Sequence, residues 1–134
     1  MPPGRIRLDT ILPMASTQRS FRLATSAGTT VAGEVAVADN PWRRFIGLMG
    51  RRDLPEGAGL YLRPCSSIHM FFMRFPIDVA FVDKDGVVLK IYPSLQPWRM
   101  TRVVRKAKAC IELSAGSVAA AGVKVGDRLT LPSS

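Results

Sequence analysis

Apolar and polar residues alternate with the period of a half-buried β-strand at several places along this 134-residue chain. Residues 20–26 and 30–38 show the alternation on either side of Ala27-Gly28-Thr29, which predicts an opening hairpin. The same criteria predict further strands at 59–62, 67–73, 77–82, 87–92, 109–113 and 127–131. Asp85-Gly86 lies between two of these runs and is the strongest hairpin signal, because Asp-Gly suits a tight turn.

The apolar period changes to that of a helix between the second and third predicted strands. Asn40 can cap a helix and Gly50 can end it, so a short amphipathic helix is predicted over 40–50. A second short helix is predicted at 116–121. These elements predict an α+β domain that is mainly β. We expect a compact barrel-like sheet, with one short helix after the first hairpin and another near the C-terminus.

The length suits one domain, large enough to bury a core without disulfides or metals. We expect residues 17–134 to form that domain, and residues 1–16 to be a disordered leader or a mis-called start. No apolar run approaches the ~18 residues that a membrane span requires. Arg5, Arg7 and Arg19 accompany no apolar h-region, so a secretory signal is not predicted and the cytoplasm is the expected location.

Charge is the strongest compositional signal. The chain has 19 Lys and Arg residues against 10 Asp and Glu residues, a formal net charge of +9. Such an excess favours an anionic partner, either nucleic acid, a phosphate-bearing ligand or a membrane surface, although an inert basic surface is the alternative. The best candidate surface follows Trp98 and consists of Arg99, Arg102, Arg105 and Lys106. The alternative there is a solvated loop whose Trp98 folds over the core.

Three motifs in order resemble a known family. They are Arg-Phe-Ile-Gly-Leu-Met-Gly-Arg at 44–51, Phe-Pro-Ile-Asp-Val-Ala-Phe-Val-Asp at 75–83, and Cys-Ile-Glu-Leu-Ser-Ala-Gly at 110–116 with Gly-Val-Lys-Val-Gly-Asp at 122–127. The set resembles domain-of-unknown-function family 192 over about residues 20–131. The resemblance implies a small β-rich barrel with a helix after the first hairpin. It implies no activity, since the family has no established biochemical role, and some of its members are exported.

One segment departs from the pattern of that family. Many members carry Trp-Met-Lys-Asn-Thr before the Pro-hydrophobic-Asp motif, whereas this chain has His-Met-Phe-Phe-Met at 69–73. The polar side chains of that run are therefore not available here, and their role in relatives does not transfer to this chain.

His69 is the single histidine of the chain and lies in an apolar run. With Cys65 it could form a nucleophile and its base, or two ligands of a soft metal, and Cys110, Asp78 or Glu112 could supply a third group. A buried neutral histidine that hydrogen-bonds the backbone or Glu112 is the simpler interpretation. Because the two cysteines have no zinc-site spacing, we expect no metal and no cofactor.

Two acidic residues lie within apolar strands. Asp78 is expected to be buried and paired with Arg51, Arg74 or backbone N–H groups, or else to face a polar ligand. The orientation of Glu112 stays open. Outward it would belong to a solvated edge, and inward it would need His69 or an arginine as its partner.

The sequence favours a non-enzymatic binding or accessory module, and it assigns no catalytic residue. Its candidate cleft is bordered by Arg51, His69, Asp78 and Trp98, for an anionic small molecule or a protein segment. The first alternative is a basic nucleic-acid-binding domain, with weak and salt-sensitive contacts to the polyanion. The second is a hydrolase or redox enzyme that uses Cys65 and His69.

Overall fold

The computed structural model describes residues 19–38 and 53–132. These ranges contain seven strands and one short helix. In chain order they are β1 (Ser20–Thr25), β2 (Thr30–Ala38), β3 (Ala58–Leu62), β4 (Ile77–Val82), β5 (Val88–Leu95), β6 (Ala109–Ser114), α1 (Ser117–Ala120) and β7 (Leu129–Thr130). In the described ranges, no helix has the length and apolar character that would let it cross a bilayer.

All seven strands belong to one sheet with the order β5-β4-β6-β3-β2-β1-β7. Neighbouring strands are antiparallel except β2 and β3, which run parallel. The sheet curls into a half-barrel. This is shown by a bridge between Val87, which precedes edge strand β5, and Arg128, which precedes edge strand β7. The Val88 N–H donates to the Asp127 carbonyl at 2.8 Å, and this bond helps to join the two edges at one end.

Each face of the sheet carries its own apolar cluster, as the alternation along the strands predicts. The cluster on one face takes residues from all seven strands, including Val88 and Leu129 of the two edge strands, and therefore fills the inside of the curl. The cluster on the other face contains Leu60, Val79 and Phe81. This second cluster lies on the convex face, so it needs a cover from outside the sheet.

Two irregular segments, 64–75 and 96–107, provide that cover and are called the covering segments below. Ile68 and Met70 insert into the convex cluster. The segments are joined by backbone hydrogen bonds from Met70 N–H to the Arg99 carbonyl at 2.6 Å and from Thr101 N–H to the Ile68 carbonyl at 2.8 Å. In the described ranges the two segments thus cover part of the convex face without forming an eighth strand.

The mainly-β class and both predicted hairpins are confirmed by the pairing of β1 with β2 and of β4 with β5. The C-terminal helix lies inside its predicted range. The predicted helix at 40–50 and the predicted leader at 1–16 fall outside the described residues, so the expectation of two helices is not confirmed.

The strand predicted at 67–73 is wrong. His69 forms one isolated bridge with Met100, and the segment then turns, with the Met73 N–H donating to the Met70 carbonyl at 3.2 Å. Phe72 has a φ of 66°, which interrupts any strand. The run is apolar because it covers a hydrophobic face, and a covering segment and a buried strand leave the same composition.

Gly59 marks the place where β3 and β6 approach too closely for a side chain. A Cβ atom there would lie 2.6 Å from Leu113 Cδ2 and 2.8 Å from the Glu112 carbonyl oxygen. We expect Gly59→Ala to lower the free energy of unfolding by about 1–3 kcal/mol, as overpacking does in tight cores. Urea denaturation measures this, with Gly33→Ala on β2 as the control because no atom lies within 4 Å of its added methyl group. Equal midpoints for the two variants would contradict the prediction.

Candidate functional site

Asp78 is the second residue of β4 and is 1% exposed. Its Oδ1 accepts the Ser94 N–H at 2.9 Å, and its Oδ2 accepts the N–H groups of Gly116 at 3.1 Å and Val118 at 3.0 Å. Of the two partners that the sequence suggested, arginine or backbone N–H, the structure shows the second. The carboxylate ties the end of β5 and the start of α1 to β4.

His69 is exposed, so the interpretation as a buried histidine is wrong. Its Nδ1 accepts the Phe71 N–H at 3.3 Å, and its ring lies 4.9 Å from the Phe71 ring, centroid to centroid. Phe71 in turn stacks on Trp98 at 6.1 Å, and Trp98 contacts Phe72 at 5.1 Å. Four rings from the two covering segments thus form one continuous aromatic group on the protein surface.

One interpretation of the sequence expected Trp98 to fold over the core, and the structure contradicts it. It is 60% exposed, and its backbone N–H donates to the Met70 carbonyl at 2.8 Å. The cationic side chains that follow it, Arg99, Arg102, Arg105 and Lys106, are all exposed. These four cations and Trp98 therefore belong to the same covering segment, 96–107.

The two cysteines meet where the first covering segment packs on β6. The Cys110 Sγ donates to the Cys65 Sγ at 3.1 Å, and the Cys65 Sγ also lies 3.2 Å from the Ser67 carbonyl oxygen, to which it donates. Cys110 is fully buried on β6, whereas Cys65 is half-buried. Burial raises the pKa of the Cys110 thiol well above its usual value, and the hydrogen bond to Cys65 raises that pKa further.

Glu112 faces the convex cluster with Cys110, two positions away on the same strand. It is 7% exposed and is paired across the sheet with Leu60 on one side and Val79 on the other. Its Oε2 has no hydrogen-bond partner in the part of the chain that the structure describes. Desolvation by this burial, and then the nearby Cys65, raise the pKa of Glu112 to about 8.

The four residues of the predicted cleft do not all come together. His69 and Trp98 belong to the aromatic group on the convex side. Asp78 lies between Ile77 and Val79, which point to the convex cluster, so its side chain points to the opposite face of the sheet. Arg51 lies outside the described residues.

No group of three or more His, Cys, Asp or Glu side chains within 19–38 and 53–132 is arranged to hold a metal ion. A groove of about 810 Å³ lies at the closing end of the barrel, where the lining includes Arg63, Asp83, Lys84 and Arg128. Its lining carries both signs of charge, and it contains neither His69 nor Trp98.

Sequence reasoning missed Phe71 and Phe72 as surface residues. The signal was present in the run His-Met-Phe-Phe-Met, in which two large rings replace the polar residues common in the family. Because apolar residues usually lie in the core, the same run also fits a buried strand. The contact between Cys65 and Cys110 had no sequence signal, since 45 positions separate the two residues.

Comparison with known proteins is consistent with the sequence motifs. Residues 22–131 match the family model DUF192, described as "Uncharacterized ACR". A UPF0127 protein from Pyrococcus furiosus is 37% identical over 112 residues, covering 80% of this chain and 94% of that protein. A UPF0127 protein from Pyrococcus abyssi is 35% identical over 102 residues, covering 72% and 85%.

Two solved structures share the fold. A "putative transcription regulator" from Sinorhizobium meliloti superimposes with a TM-score of 0.73 at 30% identity, over 85% of this chain and 93% of that one. A protein of unknown function from Novosphingobium aromaticivorans superimposes with a TM-score of 0.74 at 20% identity, over 96% and 100%. The half-barrel, the ordered motifs and the match over residues 22–131 together show that the chain belongs to the DUF192 family of uncharacterised proteins.

Proposed function

We propose that this domain is a binding module for an acidic protein segment that also carries apolar side chains. The binding site is the aromatic–cationic surface, defined as the exposed rings and the cations of the two covering segments. Its residues are His69, Phe71, Phe72, Trp98, Arg99, Met100, Arg102, Arg105 and Lys106.

The observation that carries the proposal is the backbone conformation of Phe72 and Trp98. Both have positive φ angles, 66° and 68°, although neither is a glycine. Each such residue costs about 1–2 kcal/mol, and burial does not repay it, since the side chains are 63% and 60% exposed. Strain of this kind is typical of ligand sites, where it holds side chains ready for a partner.

The charge of the surface selects an acidic partner. Residues 63–77 and 96–108 contain Arg and Lys side chains but no Asp or Glu. Across such a surface an acidic segment gains both attraction and a faster encounter, because opposite potentials steer association. A basic or neutral segment gains neither.

Two exposed apolar side chains without rings, one in the surface and one beside it, favour a protein segment over the other anionic ligands. Met100 and the adjoining Val103 are both exposed, and neither can stack on a nucleotide base. Methionine adapts its shape to apolar side chains, and aromatic residues, methionine and arginine are enriched at protein interfaces. The rings project from the surface, as their exposure shows, so they do not enclose a small molecule.

Nucleic acid is the second candidate. The superimposable Sinorhizobium meliloti protein is described as a "putative transcription regulator", and aromatic rings beside cations also suit single strands. We expect such binding to be weak, independent of sequence and lost near physiological salt, because no groove-reading helix accompanies the cations in the described ranges.

The test uses fluorescence anisotropy with two labelled probes, a peptide of alternating Glu and Leu and a single-stranded oligothymidine. We expect the peptide to bind, and Trp98→Ala to weaken it about 10-fold, as loss of an interface aromatic does. The triple variant Arg102→Ser, Arg105→Ser, Lys106→Ser should have a similar effect without loss of stability, because all three side chains are exposed.

The matched control is Lys84→Ser, Lys124→Ser, Arg128→Ser, which removes three exposed cations away from the aromatic rings. It should leave peptide binding within about 2-fold of wild type, as expected for charges far from an interface. Equal losses in the two triple variants would show a non-specific charge effect and overturn the proposal. Oligothymidine binding that exceeds peptide binding and survives ~0.15 M salt would make nucleic acid the better assignment.

A further inference from the structure

The two cysteines lie at a position where a disulfide could form with little movement. Their Sγ atoms are 3.1 Å apart, and the backbone around them is already paired, since the Cys65 N–H donates to the Lys108 carbonyl at 3.1 Å. Cys110 is paired with Leu62, three positions before Cys65, in the β3–β6 ladder. The two chain segments are therefore fixed side by side by hydrogen bonds that do not involve the thiols.

The two thiols differ in accessibility, which assigns them different roles. Cys65 is half-buried, with part of the residue at the surface, while Cys110 is fully buried. The raised pKa of Cys110 disfavours its thiolate, the form that attacks a disulfide. An external reagent therefore meets Cys65 first.

We infer that Cys65 and Cys110 form a redox-active dithiol that exchanges with small-molecule disulfides, with Cys65 as the entry thiol and Cys110 as the resolving thiol. This site is separate from the proposed binding of an acidic segment and does not depend on it.

The exchange proceeds in two balanced steps. The Cys65 sulfur attacks one sulfur of the external disulfide, forms a mixed disulfide and expels a thiolate, which takes the proton that Cys65 loses. The Cys110 sulfur then attacks the Cys65 sulfur, forms the Cys65–Cys110 bond and expels the second external thiolate, which takes the proton from Cys110. Two electrons pass from the protein to the external disulfide, which leaves as two thiols.

The surroundings suit an anionic reagent such as oxidised glutathione. Arg63, Arg105, Lys106 and Lys108 lie near the two cysteines in sequence, and 63–77 and 96–108 contain no acid. Opposite charge raises the rate of encounter at such a surface.

The test treats the full reduced chain with oxidised glutathione and follows its intact mass. We expect wild type to lose the mass of two hydrogens and both titratable thiols, with little lasting adduct. Cys110→Ser should instead accumulate one glutathionyl group on Cys65, because no resolving thiol remains. Cys65→Ser should react with oxidised glutathione at least about 10-fold more slowly than wild type, because its remaining thiol, Cys110, is buried.

A second readout uses wild type alone, so it stands even if a variant fails to fold. The disulfide would close a loop between residues 45 positions apart, and the oxidised protein should melt about 10 °C above the reduced one. A wild-type protein that keeps its glutathionyl adduct, or that forms disulfide-linked dimers in place of the internal bond, would overturn the inference. If exchange is absent but the peptide binds, the dithiol inference is overturned and the proposed function is supported. If exchange occurs but the peptide does not bind, the proposed function is overturned and the dithiol inference is supported.

Discussion

Replacing Asp78 with Ala is expected to lower the free energy of unfolding by about 3–5 kcal/mol. The carboxylate of this 1%-exposed residue accepts three backbone N–H groups, from Ser94, Gly116 and Val118, and the variant would leave all three without their acceptor. Two of these donors belong to the start of α1, whose N-cap residue Gly116 makes no side-chain capping bond. Asp78, which lies on β4, therefore caps the N-terminus of α1.

Equilibrium urea denaturation measures this loss, and two further variants make the result specific. Asp78→Asn keeps one acceptor oxygen of the same reach and should give an intermediate loss. Asp85→Ala removes an exposed carboxylate in the turn between β4 and β5, and should change stability by less than about 0.5 kcal/mol. If the urea denaturation curves of Asp78→Ala and Asp85→Ala coincide, the Asp78 carboxylate does not stabilise the folded state.

The second large effect concerns Glu112 and pH. Burial raises its pKa from 4.5 to about 8 in the folded state, so the folded protein favours the protonated carboxyl. Below pH 4.5 both states carry the proton, and this residue costs no stability. Between pH 4.5 and about 8 the unfolded chain ionises while the folded protein keeps its proton, so the free energy of unfolding falls as pH rises. Above about pH 8 the loss is complete.

We expect the total loss from this group to be on the order of 5 kcal/mol, since each pKa unit is worth about 1.4 kcal/mol. Glu112→Gln removes the titration while keeping the shape of the side chain. Wild type should therefore lose stability relative to Glu112→Gln as pH rises from 5 to about 8, in urea melts at a series of pH values. Glu56→Gln, which changes an exposed carboxylate, serves as the control. If the free energies of unfolding of wild type and Glu112→Gln change in parallel with pH, the raised pKa of Glu112 is contradicted.

Both residues lie inside apolar strands, and sequence reasoning treated them differently for a physical reason. For Asp78 the surrounding apolar residues already implied burial, and a buried carboxylate needs donors, so backbone N–H groups were among the predicted partners. For Glu112 the face of the strand was open, because alternation gives two faces without saying which one is covered. Among the described residues, the covering segments lie on the convex face and help to bury it.

The family motifs and the strand pattern were reliable because both are local. Period-2 alternation and the Asp85-Gly86 turn indicate the seven observed strands and both hairpins before any tertiary contact forms, together with one run, 67–73, that is not a strand in the structure. The excess of cations and its concentration after Trp98 are also properties of sequence alone. The sequence by itself thus determined the mainly-β class, the family and the basic character of one surface.

Tertiary structure alone decided which side chains meet. The covering segments are 64–75 and 96–107, and their pairing turned His69 and the neighbouring rings outward, beside Trp98. The order β5-β4-β6-β3 set Cys110 beside Cys65 and placed Glu112 under the same cover. These contacts join residues far apart in the chain, so their positions depend on how the sheet curls and what covers it. Local periodicity carries no information about either.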